Sequence, residues 1–200
     1  MHRLILASSS PRRIQLLQEG KFFPEVIAPQ MAELSCDFFT PSELARFNAK
    51  LKAAAVAALN PDAVVLAADT IVALGLEIFG KPKDFKDAGR ILGKLAGKTH
   101  EVITGVALLE PSIGRVTLRS ASSKVTLRAL STIEIEIYLK VNNPLDKAGA
   151  YAAQNSANTL IERIDGSFTN VVGLPMEIVR PLLESLGIHP SSESERRSSR

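Results

Sequence analysis

The chain has 200 residues, 46% of them hydrophobic, and a formal net charge of +3 at neutral pH, which suits one medium-sized domain with a sizeable core. Arg196, Arg197 and Arg200 against Glu193 and Glu195 place +1 of that charge on the tail, and the +2 left for the body is no polyanion-binding surplus, so nucleic acid is not an expected partner. No apolar run is long enough to cross a bilayer, no signal-peptide core follows Met1, and the single Cys36 excludes an internal disulfide framework; a cytoplasmic protein without membrane attachment is the expectation, with Cys36 a partly buried small hydrophobe.

Leu4 to Ala7 forms a short apolar strand that leads through Ser8-Ser9-Ser10 into Pro11-Arg12-Arg13 and a helical pattern. Ser10 is a good N-cap and Pro11 suits the first helical position. Free N–H groups, hydroxyls and two arginines make an anion cradle there; a capped helix with solvated arginines accounts for the same residues. Pro24 to Pro29 reads as a second strand, and Gln30 to Asp37 as an irregular stretch carrying Glu33. Thr40-Pro41-Ser42-Glu43 is a capping box opening a helix to about Leu59, with Leu44, Phe47, Leu51, Ala54, Ala55 and Ala58 toward the core. Lys50 and Lys52 fall elsewhere on its circumference, either reaching a bound phosphate or lying in solvent.

The stretch from Val64 to Asp84 sets two aliphatic, β-branched runs around Asp69 and Thr70, turns at Gly75 and delivers Lys81 after a short strand. A lone carboxylate in an apolar strand costs several kcal/mol unless paired or metal-bound. Asp69 therefore either ends one strand and caps a turn, or faces a cleft together with Lys81. Asp84 caps a helix from Phe85 to Leu95 that ends before Gly97. Thr99 to Leu109 and Arg115 to Leu127 read as an antiparallel pair, the second bent or broken between Arg119 and Lys124. Ser131 to Glu134 is another capping box, starting a helix that ends near Lys140; Pro144 to Tyr151 suits a tight loop against a ligand or another backbone. Leu160 to Ile164 is a strand with a turn at Asp165-Gly166, Thr169 to Pro175 a strand running to a turn, and Pro175 to Leu186 an amphipathic helix. Interleaved strands and helices give an α/β class, and no repeat period is visible.

The chain carries no Gly-x-x-x-x-Gly-Lys-Ser/Thr, Gly-x-Gly-x-x-Gly, Gly-x-Ser-x-Gly or His-Glu-x-x-His pattern, and its three histidines are scattered. What remains is an oxygen-rich set, Glu33 and Asp69, matched to the bases Arg12, Arg13, Lys52 and Lys81. Carboxylates that leave coordination positions to water and phosphate suit Mg²⁺, which points to chemistry on a phosphate ester.

Six blocks, Leu-Ile-Leu-Ala-Ser-Ser-Ser-Pro-Arg-Arg (4–13), Ala-Asp-Thr (68–70), Gly-Lys-Pro-Lys-Asp (80–84), Gly-Lys-Thr-His-Glu-Val-x-Thr-Gly-Val-Ala (97–107), Pro-Leu-Asp-Lys-Ala-Gly-Ala-Tyr (144–151) and Asn-Val-Val-Gly-Leu-Pro (170–175), resemble the Maf family of nucleoside triphosphate pyrophosphatases. The resemblance implies a metal-dependent hydrolase that cuts a nucleoside triphosphate between its α and β phosphates, using Mg²⁺ or Mn²⁺, with Asp69 as general base. It also implies a mixed, elongated sheet with a cleft between two lobes over residues 1–189 and a homodimer; the tail over 190–200, Ser-rich and without an apolar residue after Pro190, reads as disordered from its composition. Arg12, Thr70 and Gln154 match the dTTP/UTP branch, although Ala152-Ala153-Gln154-Asn155 stands where that branch flanks its Gln with glycines.

Chemical roles can be set beside these matches. Asp69 and Glu33 would share the metal, Asp69 activating water; Ser8, Ser10, Arg13, Lys52 and Lys81 would neutralise phosphates; Thr70 and Gln154 would read a pyrimidine edge. Lys147 either joins the phosphate ligands or pairs with Asp146 to hold its loop. A nucleotide-binding regulator of cell division or septum formation, without significant turnover, is the alternative function.

Overall fold

The computed structural model describes residues 3–34, 38–154 and 160–191; Cys36, and the tail from residue 192 onward, lie outside the described residues. Seven strands, β1 (Arg3–Leu6), β2 (Glu25–Val26), β3 (Ala63–Leu74), β4 (Glu77–Phe79), β5 (Thr99–Glu110), β6 (Arg115–Leu127) and β7 (Ile161–Asp165), form one mixed sheet. Its order is β2-β1-β3-β5-β6-β7, with β4 also on β3. Among the described residues six α-helices accompany it: α1 (Pro11–Glu19), α2 (Pro41–Ala57), α3 (Phe85–Leu95), α4 (Thr132–Val141), α5 (Phe168–Val172) and α6 (Met176–Glu184). This is the expected α/β architecture. No helix among the described residues is long and apolar enough to cross a membrane.

β3 is the axis of the fold, and its near-continuous apolar run is that of a strand covered on both faces. Val65 and Ala67 pack with Ile5 under Ala49, Ala53 and Val56 of α2. Val64, Leu66 and Ala68 pack on the opposite face with Leu17, Leu174, Val179 and Leu183. Side chains alternate along a strand, so Asp69 belongs to the α2 face and Thr70 to the other.

Pairing decides where the sheet opens. β5 accompanies β3 from Val65 to Ala73 without interruption. On the other edge, parallel β1 covers only Ala63 to Leu66, and antiparallel β4 covers only Val72 to Leu74. Asp69 and Thr70 lie in the gap between those two partners, directly beyond the point where β1 gives way to Ser8.

Four local expectations need correction. The core side of α2 is turned relative to the expected stripe: Leu44 is buried as expected, but Ala45, Asn48, Ala49, Lys52, Ala53, Val56 and Ala57 accompany it, and Phe47 and Ala54 are exposed. Small alanines let the helix backbone come close to the sheet, and the two polar residues tolerate burial because both are paired. β6 runs unbroken through Arg119–Lys124, registered residue for residue on β5, whose partner strand overrides a weak local pattern. The second strand is only Glu25–Val26. The segment from Thr169 is helical rather than extended: Ser167 accepts from the N–H of Asn170 as N-cap of α5, and the Asn170 amide donates to the Val102 carbonyl and to Ser123 Oγ, each at 2.9 Å. Those tertiary bonds outweigh the β-branched pair Val171-Val172.

Candidate active site

The gap beside β3 opens into a cleft of about 1130 Å³, lined among others by Ser8–Arg13, Glu33, Asn48, Lys52, Asp69, Thr70, Lys81, Asp146, Lys147, Gln154 and Gly173. Every site residue singled out from the sequence therefore reaches one cavity, although their partners differ from those expected.

Asp69 is only 4% exposed and is paired. Its Oδ1 accepts from Lys52 Nζ at 2.6 Å, and the same ammonium donates to Glu33 Oε1 at 2.7 Å. Lys52 thus bridges the two carboxylates from the buried face of α2, instead of extending freely toward solvent. Lys81 is exposed and meets Glu33, at 3.7 Å, rather than Asp69. Burial works to raise the Glu33 pKa, but the Lys52 hydrogen bond and the charges of Lys52, Lys81 and Arg13 outweigh it and hold the group below the ordinary glutamate value.

Asn48, one turn before Lys52, had no signal of its own in the sequence. Its Oδ1 accepts from the N–H of Leu34 at 2.9 Å and its Nδ2 donates to the Leu34 carbonyl at 3.1 Å, imitating a strand partner for the irregular segment. That clasp fixes the neighbour of Glu33, while Nδ2 also lies 3.4 Å from Asp69 Oδ2. One helix face therefore places both carboxylates.

Across the cleft, Arg13 is fixed by three elements. Its Nε donates to the Gly173 carbonyl at 2.8 Å, one terminal nitrogen to Ser8 Oγ at 3.3 Å and the other to Thr70 Oγ1 at 3.1 Å. Burial lowers the Arg13 pKa, with Asp69 and Glu33 opposing that shift. Gly173, at φ +123°, closes α5, and a Cβ there would stand 3.4 Å from Thr70 Oγ1. Ser8 Oγ also accepts from the Ser10 N–H at 3.1 Å, so both its lone pairs are engaged and its proton is left to donate. Ser10 occupies the N-cap position of α1, but its side chain makes no capping bond.

Arg12 takes a different course. It grips Asp146 through the side chain at 3.0 Å and through the main-chain carbonyl at 3.3 Å. Lys147 donates to the other Asp146 oxygen at 2.5 Å and to the Asn143 carbonyl at 2.6 Å, so it holds its own loop together. These contacts lower the Asp146 pKa against the opposing effect of burial. Gln154 ends the described part of this loop; Asn155 lies outside the described residues.

The same loop is anchored from below by Tyr151, whose hydroxyl lies 2.7 Å from Nε2 of the buried His100. Burial pushes the His100 pKa down to about 4 from 6.5. An unfolded chain takes up this proton near pH 6.5 and the folded chain only near pH 4, so stability is full above that window, falls as pH drops through it and levels off below. Lowering the pH from 7.5 to 5 is expected to cost about 2 kcal/mol through this group. Thermal melts of the wild type and of His100→Gln at both pH values check it, the variant losing less on acidification.

Asp69 and Glu33 approach one cation, Lys52 Nζ, within the distances given above. Carboxylate oxygens are also the kind of donor that a hard divalent ion takes. No group of three or more His, Cys, Asp or Glu side chains suited to a metal occurs among the described residues, so further ligands would come from substrate phosphates and water.

The Maf-like protein family model matches residues 3–186. A dTTP/UTP pyrophosphatase of Aquifex aeolicus is 46% identical over 186 residues, covering 93% of this chain and 96% of that protein. One from Dictyoglomus thermophilum is 42% identical over 185 residues, covering 92% and 96%. Among solved structures, the Staphylococcus aureus Ham1 protein aligns over 92% of this chain and 98% of its own with a TM-score of 0.51 at 15% identity, a likeness of fold. The family match extends through every element that builds the cleft, and the chain belongs to the Maf family.

Proposed function

We propose that the chain is a nucleoside triphosphate pyrophosphatase acting on dTTP and UTP, hydrolysing the bond between the α and β phosphates to give the nucleoside monophosphate and pyrophosphate. The observation that carries this reading is the pairing of Asp69 and Glu33 around one cation position, facing the Arg13 guanidinium and the Ser8 hydroxyl across a cleft of nucleotide size. The names of the relatives supply the substrate class.

Attack on an α-phosphorus needs a base for the water and positive charge for the phosphate oxygens. Asp69 has one oxygen committed to Lys52 at 2.6 Å, while the other meets Asn48 only at 3.4 Å. That second oxygen is the one available to orient water and accept its proton. Ser8 donates to a phosphate oxygen, and Arg13 and Lys81 lie on either side to offset charge on the leaving pyrophosphate. Lys52 keeps the two carboxylates ionised and together. Asp69 and Glu33 would hold Mg²⁺ or Mn²⁺, which when bound supplies Lewis-acid polarisation of the phosphate and a more acidic water.

The test is a turnover panel of the canonical triphosphates with Mg²⁺ or Mn²⁺, following pyrophosphate directly. Release from dTTP and UTP above the other nucleotides is expected. Tight binding with no pyrophosphate from any nucleotide would instead support a regulatory nucleotide-binding protein. Asn48 provides a second check, because it fixes the segment carrying Glu33 without needing to touch substrate. Asn48→Ala is expected to raise the Mg²⁺ concentration for half-maximal activity about tenfold, read from metal titrations at saturating nucleotide.

A further inference from the structure

We propose that Thr104, a buried residue of β5 outside the cleft, fixes the direction of the Thr70 hydroxyl and thereby favours bases with a proton on ring N3, uracil and thymine, over cytosine, whose N3 carries none. The proposal rests on the pyrophosphatase reading above and adds a positioning residue to it.

The argument is a count of protons. A threonine hydroxyl has one proton to give and two lone pairs. Thr104 Oγ1 donates to the Asn170 carbonyl at 3.1 Å, and a carbonyl only accepts. Thr104 and Thr70 hydroxyl oxygens lie 3.0 Å apart. Because the Thr104 proton is already given to Asn170, the proton in that second bond is the one on Thr70. Arg13, which only donates, reaches Thr70 Oγ1 from the other side at 3.1 Å. The order is therefore Arg13 N–H to Thr70, Thr70 O–H to Thr104, Thr104 O–H to Asn170. Thr70 keeps one lone pair for the cleft and has no proton left to offer it.

Both ends of the relay are immobilised. Asn170 is fully buried, its N–H donates to Ser167 Oγ at 3.1 Å, and its side-chain amide donates to Val102 and Ser123 at 2.9 Å. Arg13 is tied to Gly173 and Ser8 as described. Reversing the relay gives up the Thr104–Asn170 bond, and although the Asn170 carbonyl keeps the N–H of Gly173 at 3.0 Å, the order given is favoured by that one hydrogen bond. Gln154, the other hydrogen-bonding group named for base reading, has an amide that can turn over to suit either kind of base edge. Discrimination then comes from a group whose turning gives up a bond elsewhere, and Thr70 is such a group. An acceptor there meets the N3–H of uracil or thymine favourably and opposes the N3 lone pair of cytosine.

The test compares kcat/KM for UTP, dUTP and CTP in the wild type, Thr104→Val and Thr104→Ser, each as the full chain. Valine keeps the shape and removes the relay, freeing the Thr70 proton to turn toward the cleft. The UTP-to-CTP ratio is expected to fall about fivefold in Thr104→Val and to return in Thr104→Ser. A ratio unchanged in a folded Thr104→Val, or a change confined to UTP against dUTP, overturns the proposal. Should Thr104→Val not fold, the wild type decides: N3-methyl-UTP is expected to turn over at least about tenfold more slowly than UTP, and equal turnover overturns the proposal. A wild type that releases pyrophosphate from nothing is a separate result, which removes the pyrophosphatase reading itself.

Discussion

Asp69→Asn is expected to reduce pyrophosphate release about 10³-fold while nucleotide binding persists. The substitution keeps the shape of the side chain and the length of β3, so the cleft should stay open. It removes the oxygen that takes a proton from water, since an amide is no base at neutral pH. It also turns one side of Lys52 from an attractive to an indifferent neighbour, leaving Glu33 as the remaining anionic partner at 2.7 Å. Paired measurement of kcat by pyrophosphate detection and of nucleotide affinity by calorimetry separates these effects. Activity within tenfold of wild type would show that another group activates the water.

Gly105→Ala is expected to be the most damaging single-methyl change in the sheet. Gly105 pairs with Asp69 across β3 and β5, and a Cβ there would stand 2.3–2.4 Å from the carbonyl of Ala45 and the nitrogen of Arg46. Those atoms are helix backbone and cannot swing aside. α2 must therefore lift off the sheet, at a cost of about 3 kcal/mol, which in a chain of this size lowers Tm by roughly 6–12 °C. The lift also carries Asn48 and Lys52 away from Asp69. A displacement near 1 Å is expected to lower kcat about 10²-fold, beyond what lost stability explains at a temperature where the variant is folded. A variant with wild-type Tm and kcat would mean that the close approach of α2 does not position these side chains.

Much of the fold could be read locally. The capping boxes at Thr40 and Ser131 and the Asp84 cap make the hydrogen bonds their patterns require, because a cap is settled within four residues. Long β-rich runs mark the ends of β5 and β6 to within a residue. Local signal misled where a partner distant in sequence decided the outcome. Val171-Val172 became helix because Asn170 found Val102 and Ser123, and Arg119 to Lys124 stayed strand because β5 holds them in register. Spacing along α2 points to Leu44, Phe47, Leu51, Ala54, Ala55 and Ala58, whereas the sheet takes the neighbouring face with Ala45, Ala49, Ala53 and Ala57, which lets the helix approach Gly105.

The site divides along the same line. That Asp69 needs a partner follows from the energy of a carboxylate among aliphatic neighbours, and the amino-acid order alone established that, together with the block pattern of the family. Which partner it has does not follow from order. Lys52, Glu33 and Asn48 come to Asp69 only because β1 and β4 leave part of one edge of β3 uncovered and α2 lies close above it. Hydrogen-bond direction is further still from the sequence: Thr70, Thr104 and Asn170 are three ordinary polar residues until packing sets Thr104 3.0 Å from Thr70 and 3.1 Å from the Asn170 carbonyl, and proton counting then favours one order. Short-range chemistry is written in neighbouring residues, whereas charge pairing and proton direction depend on distances that only the folded chain sets.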